Sequence, residues 1–321
     1  VLDLQRLKKV KLATRPIGQL VVANAVLFFD YRFPKKTEII LEGQENLPKD
    51  GGCFLAMNHT DRYNYWPLQY KMYRSGLPFT ATWVKGKYYE NPWIGRFMDS
   101  TNNIPIPSRG YVLTTEFRKI AKRVPDETEY RSLRQLANGE EIAAEAAQSL
   151  EKVIGQSAAD FAASCKDKFA ELVDQLVVLN KRALWEKNIN VMVFPTGTRS
   201  TRIIQAHTGI IQMTQHLGAP IIPIGCNGSD HVYPGNSPFA KGGRIVYRIG
   251  KPIPVDGPEL GPYRVPSSVR PLTKEAEEGY GEQYRAMVDI VMDRINELVD
   301  PQYQRSDGNN DEGEKGTDRF V

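Results

Sequence analysis

The sequence predicts an α/β fold, with a mixed sheet of about six or seven strands flanked by helices and interrupted by a long helical insertion. Three observations lead there. Short apolar runs of buried-strand type, "CFLAMN", "INVMVFP" and "APIIPIG", each stop at turn-forming or small polar residues. Segments with helical spacing lie between them, and the middle of the chain changes to a texture of Ala, Glu, Lys, Gln and Leu.

The elements follow in order. The N-terminus reads "LQRLKKVKLATRP" and then "IGQLVVANAVLFF", a basic segment followed by an apolar one. The apolar run, about a dozen residues, is shorter than the roughly 20 needed to cross a bilayer as a helix. Residues 1–36 are therefore expected either to lie in a membrane interface or to form a first helix packed on the domain. In the interfacial case Arg6, Lys8, Lys9, Lys11 and Arg15 would face anionic lipid, with Val21, Val22, Leu27 and Phe28 inserted.

"TEIILEG" and "CFLAMN" read as strands on either side of the turn "ENLPKDGG". "WPLQYKMYRSG" is a helix ending at Gly76, so "NHTDRYN" forms a strand-to-helix corner. "PFTATWVKGKYY" returns as a strand, and "NPWIGRFMDS" is a short helix. "IPIPSR" cannot be a central strand throughout, because each proline removes a ladder donor.

Residues 111–187 should hold two or three amphipathic helices, either an inserted hairpin or a cover for one sheet face. "INVMVFPTGTRS" is a buried strand stopped by a Pro-Thr-Gly turn. "AHTGIIQMTQHLG" is a helix ended by Gly218, "APIIPIGCNGSD" and "GRIVYRIGKPIPV" are strands, and "EAEEGYGEQYRAMVDIVMDRINELVD" is a closing helix. The main domain is thus expected over residues 37–304. The polar tail, 305–321, has too little apolar content to fold.

Composition narrows the function classes. With 41% hydrophobic and 25% charged residues and a mean hydropathy of -0.43, the chain reads as an ordinary globular protein without several membrane spans. Cys53, Cys165 and Cys226 are far apart and odd in number, which indicates neither a metal site nor a disulfide framework and fits a reducing cytoplasm. The net charge of +4 becomes more basic once the acidic tail is set aside, so anionic partners are favoured. Nucleic acid would require a denser basic stripe with interleaved aromatics.

Two strand-end corners carry the candidate chemistry. In open α/β sheets ligands bind at the carboxyl ends of strands. "NHTDRYN" offers His59, whose ordinary pKa of about 6.5 suits removal of a proton from an alcohol; a histidine in a surface turn is the alternative. "FPTGTRS" offers Gly197 for close backbone approach, hydroxyls at Thr196, Thr198 and Ser200, and the Arg199 guanidinium, a group suited to phosphate or carboxylate.

The segments "LEGQENLPKDGGCFLAMNH", "IPIPSR", "FPTGTRS", "GAPIIPIG" and "RIGKPIPV", in this order, resemble the glycerolipid acyltransferase family, which includes 1-acylglycerol-3-phosphate and other lysophospholipid acyltransferases. The resemblance covers most of residues 38 to 110 and 188 to 300. It implies a histidine base at His59. Its orienting partner, an aspartate in the family, falls at Asn64, with Asp61 as a possible substitute carboxylate. An asparagine can hold an imidazole through its amide oxygen but brings no negative charge to the imidazolium. In the serine-protease triad the corresponding Asp-to-Asn change costs about 10⁴ in turnover through the wrong histidine tautomer.

A second departure is Thr196, where the family usually has glutamate. The resemblance further implies that Arg199 and Arg109 contact an acceptor phosphate, although "IPIPSR" carries one residue more than the usual motif. Pro223 would be a strand end shaping an acyl channel. Lys85 is either a family-like basic residue or a solvated lysine, and His207 stands where lysine is more usual.

The reaction implied is direct acyl transfer from acyl-CoA or acyl-carrier protein to a lysophospholipid-type hydroxyl, with no cofactor and no metal. It would take place at the cytoplasmic face of a membrane, on an anionic surface, in a peripherally attached protein. Two alternatives stay open: a catalytically reduced lipid-binding relative, suggested by Asn64 and Thr196, and an acyltransferase with a different acceptor alcohol.

Overall fold

The computed structural model describes residues 2–306. Its seven strands are β1 (Thr37–Glu42), β2 (Phe54–Met57), β3 (Thr80–Lys85), β4 (Asn103–Ile106), β5 (Asn190–Val193), β6 (Ile221–Asn227) and β7 (Gly243–Ile249). They form one sheet in the order β1-β7-β6-β2-β5-β3-β4. β6, β2, β5 and β3 run parallel, β7 is antiparallel to β6, and β1 is parallel to β7. The protein is therefore α/β with a mixed seven-stranded sheet. The proline-bearing β4 lies at an edge of that sheet, where a missing ladder donor costs least.

The chain divides into two compact units. Of the described residues, the larger comprises 11–83, 97–103 and 179–306. Its central strand β2 is buried along its whole length, from Phe54 to Met57. Parallel strands covered on both faces read as continuous apolar runs for this reason. Leu55, Met57, Leu68, Met192, Ile224, Ile245 and Tyr247 belong to one core cluster. The closing helix Lys274–Leu298 buries Met287, Val288, Val291, Met292 and Ile295 and is kinked at Tyr280.

The N-terminal helical stretch of this unit, from Ile17 to Asp30, contains one wide turn at Val22–Leu27. Its inner face, Ala23, Leu27 and Tyr31, enters the core, and the Tyr233 hydroxyl donates to that of Tyr31 at 2.9 Å. The outer face differs from the expectation. Leu27 is buried and Val22 and Phe28 pack against the core, so of the four residues expected to insert only Val21 is open. Arg32 lies over the Phe28 ring at 3.7 Å and Arg74 at 5.2 Å, which further covers it. The exposed large apolar residues of the N-terminal segment are instead Ile17, Val21, Val26, Phe29 and Phe33. Among the described residues no helix is long and apolar enough to cross a membrane.

The smaller unit comprises residues 2–10, 84–96 and 104–178. From Arg109 onward the expected two or three helices are four: Arg109–Ala121, Glu127–Ala137, Ala144–Ile154 and Ala158–Lys181. The additional break has local causes. Lys122 and Gly155 take left-handed backbone at helix C-termini, and Asp126 with Glu129 forms a reciprocal capping box that starts the second helix. Leu113, Phe117, Leu133, Leu150, Phe161 and Cys165 are buried in this unit.

The polar tail expected from residue 305 lies outside the described residues from 307 on. Arg305 itself is tied to the closing helix, its N–H donating to Asn296 at 2.9 Å and its guanidinium pairing with Asp293 at 2.6 Å.

Candidate active site

Strands β2 and β5 are parallel neighbours with Ala56 opposite Val193. Their C-terminal extensions, one carrying His59 and the other Phe194 to Ser200, therefore leave the sheet side by side in the larger unit. The Ser200 N–H donates to the His59 carbonyl at 2.9 Å. The His59 ring stacks on Phe194 with centroids 4.0 Å apart and planes 18° from parallel.

The second corner is a closed turn. Gly197 N–H donates to the Phe194 carbonyl at 3.0 Å and His207 N–H to the Pro195 carbonyl at 2.9 Å. Gly197 has φ +63, a backbone that favours glycine, and an added Cβ would lie 3.1 Å from the His207 ring, which would have to give way slightly. Thr196, where the family has glutamate, is buried. Its hydroxyl donates to the Thr198 carbonyl at 2.9 Å, so it supports the turn.

His59 is half-buried, and its Nδ1 lies 3.2 Å from Asn64 Oδ1. Asn64 is fully buried and stands at the N-cap of the helix Tyr65–Arg74, yet its side chain makes no capping bond there. Asparagine is among the best N-cap residues, and here its amide is diverted to other partners. Nδ2 donates to the Asn58 main-chain carbonyl at 2.9 Å, and, separately, the Asn64 main-chain carbonyl accepts from the Tyr247 hydroxyl at 2.5 Å. Burial raises the Tyr247 phenol well above its usual pKa, so it is a neutral donor.

Asn64, the family's partner position, is thus the residue set against His59 Nδ1. The Asp61 carboxylate is engaged locally: Oδ1 accepts from the Tyr63 N–H at 2.9 Å and Oδ2 from the Thr60 hydroxyl at 3.0 Å. Its first bond closes an Asx-type turn of the corner. Burial pushes the Asp61 carboxyl above the ordinary carboxylate value, against its hydrogen bonds.

Thr198, Arg199 and Ser200 are half-buried on the second corner. Pro223 does not end a strand; it is the third residue of β6, opposite Ala56. It precedes the antiparallel pairing with β7, which begins at Ile224. There its missing N–H costs little, and its carbonyl accepts from Gly250 N–H at 2.9 Å.

Arg109 belongs to the smaller unit. It opens the helix Arg109–Ala121 behind the N-cap Ser108, with its guanidinium 5.9 Å from the Phe169 ring centroid. Lys85 ends β3 and is exposed.

The three cysteines are buried. Desolvation raises the Cys53 and Cys226 thiols, and pushes that of Cys165 up to about 12, so none is a ready thiolate. Among the described residues no group of three or more His, Cys, Asp and Glu is placed to hold a metal ion.

Sequence reasoning had not singled out Asn58, Phe194 or Tyr247. The first two flank recognised motif residues; nothing in its local sequence marks Tyr247, which reaches Asn64 only through the β6-β7 pairing.

A family model described as Acyltransferase matches residues 38–227, more than half of the chain and inclusive of both corners. The chain belongs to the acyltransferase family. No curated protein matches. Among solved structures the chain is similar to the crystal structure of the 1-acyl-sn-glycerophosphate (LPA) acyltransferase PlsC from Thermotoga maritima. The two are 18% identical, with 88% of this chain and 85% of that chain covered and a TM-score of 0.39. The acyltransferase match spans His59, Asn64, the Thr196-to-Ser200 corner and Pro223, whereas "RIGKPIPV" lies beyond it.

Proposed function

We propose that this acyltransferase-family protein transfers a fatty acyl group from a thioester, acyl-CoA or acyl-carrier protein, to the hydroxyl of a lysophospholipid or glycerol phosphate. The observation that carries the reading is the joining of the two corners. A histidine with its Nδ1 against a buried amide oxygen is bound through its own carbonyl to the loop that bears Arg199.

In this reading His59 Nε2 takes the proton of the acceptor hydroxyl. The alkoxide oxygen attacks the thioester carbonyl, the C–O ester bond forms, the C–S bond breaks, and the leaving sulfur recovers the proton from the imidazolium. N–H and hydroxyl groups of the second corner are the candidate donors to the tetrahedral oxyanion. Arg199 is the candidate ligand for the acceptor phosphate. Arg109 is carried as a further phosphate ligand on the family resemblance. No covalent enzyme intermediate, cofactor or metal enters this scheme.

The same reading places the protein peripherally on the cytoplasmic face of a membrane. Ile17, Val21, Val26, Phe29 and Phe33 are its exposed apolar residues, and the exposed Arg15, Arg32, Lys35 and Lys36 near them in sequence suit an anionic lipid surface.

The test is release of free CoA, or of free carrier protein, from a panel of acyl donors with lysophosphatidic acid and other lysophospholipids as acceptors. Turnover that falls by about 10² to 10⁴ in His59→Ala supports general-base acyl transfer. Wild-type protein that binds lysolipid yet is silent with every donor and acceptor points to a lipid-binding relative, the alternative that Asn64 and Thr196 raise.

A further inference from the structure

The chain carries asparagine where its family expects an aspartate, and the surroundings of that asparagine show what it is built for. The Asn58 main-chain carbonyl can only accept a hydrogen bond. The Asn64 side-chain atom 2.9 Å from it must therefore be the amide nitrogen, which turns Oδ1 toward His59. Because Oδ1 can only accept, His59 Nδ1 must be the donor, and in the neutral ring the lone pair then lies on Nε2.

The carbonyl that makes this choice is itself held. Asn58 is buried, and its side chain is fixed to β6 by two bonds: Nδ2 donates to the Cys226 carbonyl at 3.0 Å, and the Cys226 N–H donates to Oδ1 at 2.7 Å. From the other side Tyr247 on β7 holds the Asn64 carbonyl.

We propose that Asn58 is a positioning residue of this site, whose carbonyl orients the Asn64 amide and thereby fixes His59 as the Nδ1–H tautomer with its basic lone pair on Nε2. The inference deepens the acyltransferase reading, and its tautomer readout does not depend on turnover. It also separates this site from the serine-protease comparison, in which Asp-to-Asn replacement yields the wrong tautomer. Here a second acceptor takes up the amide N–H, so the asparagine presents only oxygen to the ring. An aspartate at 64 would instead set a carboxylate oxygen against the Asn58 carbonyl, two acceptors at hydrogen-bonding distance with no proton between them. Asparagine is thus the residue this corner accommodates.

The experiment is long-range ¹H–¹⁵N correlation of the imidazole signals in full-length protein labelled with ¹⁵N-histidine, at a pH where His59 is neutral. The His59 signals are assigned by their loss in His59→Ala. Wild type is expected to show a protonated Nδ1 and an unprotonated Nε2. Asn58→Ala, which releases the corner from β6, is expected to move His59 toward a mixture of tautomers.

An Nε2–H tautomer in wild type, or an unchanged tautomer in a folded Asn58→Ala, overturns the proposal. If Asn58→Ala does not fold, the wild-type tautomer still decides, together with the thermal unfolding of Asn64→Asp. That variant is expected to melt below wild type at neutral pH and to recover part of the difference on acidification, as the new carboxyl gains a proton to donate to Asn58. An equal or higher melting temperature at neutral pH overturns the proposal. Where wild type turns over, Asn64→Asp is expected to be no faster, and a gain of about tenfold or more counts against the proposal. A protein that shows the Nδ1–H tautomer without any turnover retains this inference and loses the acyltransferase reading.

Discussion

The Ser200 N–H donates to the His59 carbonyl at 2.9 Å, so the histidine corner and the arginine corner are joined by a main-chain bond in addition to the stacking of His59 on Phe194. A side-chain change at Ser200 should leave that link intact, whereas loss of the N–H should break it. Ser200→Ala is expected to lose no more than the contribution of its own hydroxyl, and Ser200→Pro to lose at least about tenfold more in kcat/KM, since small displacements of a catalytic base are costly. Steady-state kinetics of the two variants, with thermal unfolding to establish that both are folded, checks the expectation. Equal activities would show that the corners hold their relation by other means.

Gly197→Ala tests the turn from a different direction. The position has φ +63, and the added methyl would meet the His207 ring. Left-handed backbone alone costs a non-glycine residue about 1–2 kcal/mol, so unfolding should show a loss of at least that size. The same substitution should lower kcat/KM, because the strain falls on the loop that carries Thr198, Arg199 and Ser200. Replacing His207 by Ala in addition should recover the steric part of the loss, and the double variant measured against both single ones gives that part directly.

The sequence reveals the strands and the placement of both corners for a physical reason. Doubly covered parallel strands are largely apolar, as in Phe54–Met57 and Val191–Val193, and they stop where Pro195 or a polar turn intervenes. The choice between Asn64 and Asp61 was not visible there. It depends on where the Asn58 carbonyl points, a property of the backbone that leaves no mark in residue type. Pro223, a strand end by the family resemblance alone, instead occupies a position inside β6 where antiparallel pairing has not yet begun, as the apolar run "APIIPIG" already indicated. The residues of the N-terminal segment expected to be open to lipid, Val22, Leu27 and Phe28, are covered for a comparable reason. Its wide turn at Val22–Leu27 shifts the helical register, and arginines cover Phe28.

That exposed face gives the membrane prediction. Phe29→Asp and Phe33→Asp should each weaken sedimentation with vesicles containing anionic phospholipid by roughly tenfold, since each replaces a large apolar side chain with a charge of the lipid's own sign. Val22→Ala should affect stability more than vesicle binding, because Val22 packs against the core. Raising the salt concentration should weaken the wild-type interaction by screening the basic residues around the face. If vesicle binding is the same in the aspartate variants, this face is not the one that meets lipid.

In the smaller unit Glu116 joins two helices of the insertion, its oxygens lying 2.6 Å from Lys119 on its own helix and 2.6 Å from Lys168 on the helix Ala158–Lys181. Partial burial alone would raise the glutamate pKa, but the two lysines outweigh it and the carboxyl titrates below its ordinary value. A depressed carboxylate pKa means that the unfolded chain binds the proton first on acidification. The contribution to stability is therefore complete above the unfolded value of about 4.3 and is lost as the pH falls through the lower folded value. Both lysines are half-exposed, so the whole effect should stay within about 1 kcal/mol. Thermal unfolding of wild type and Glu116→Gln across this range should show a gap at neutral pH that closes in acid. A gap that persists unchanged at the lowest pH would mean that the glutamine variant loses packing and not charge.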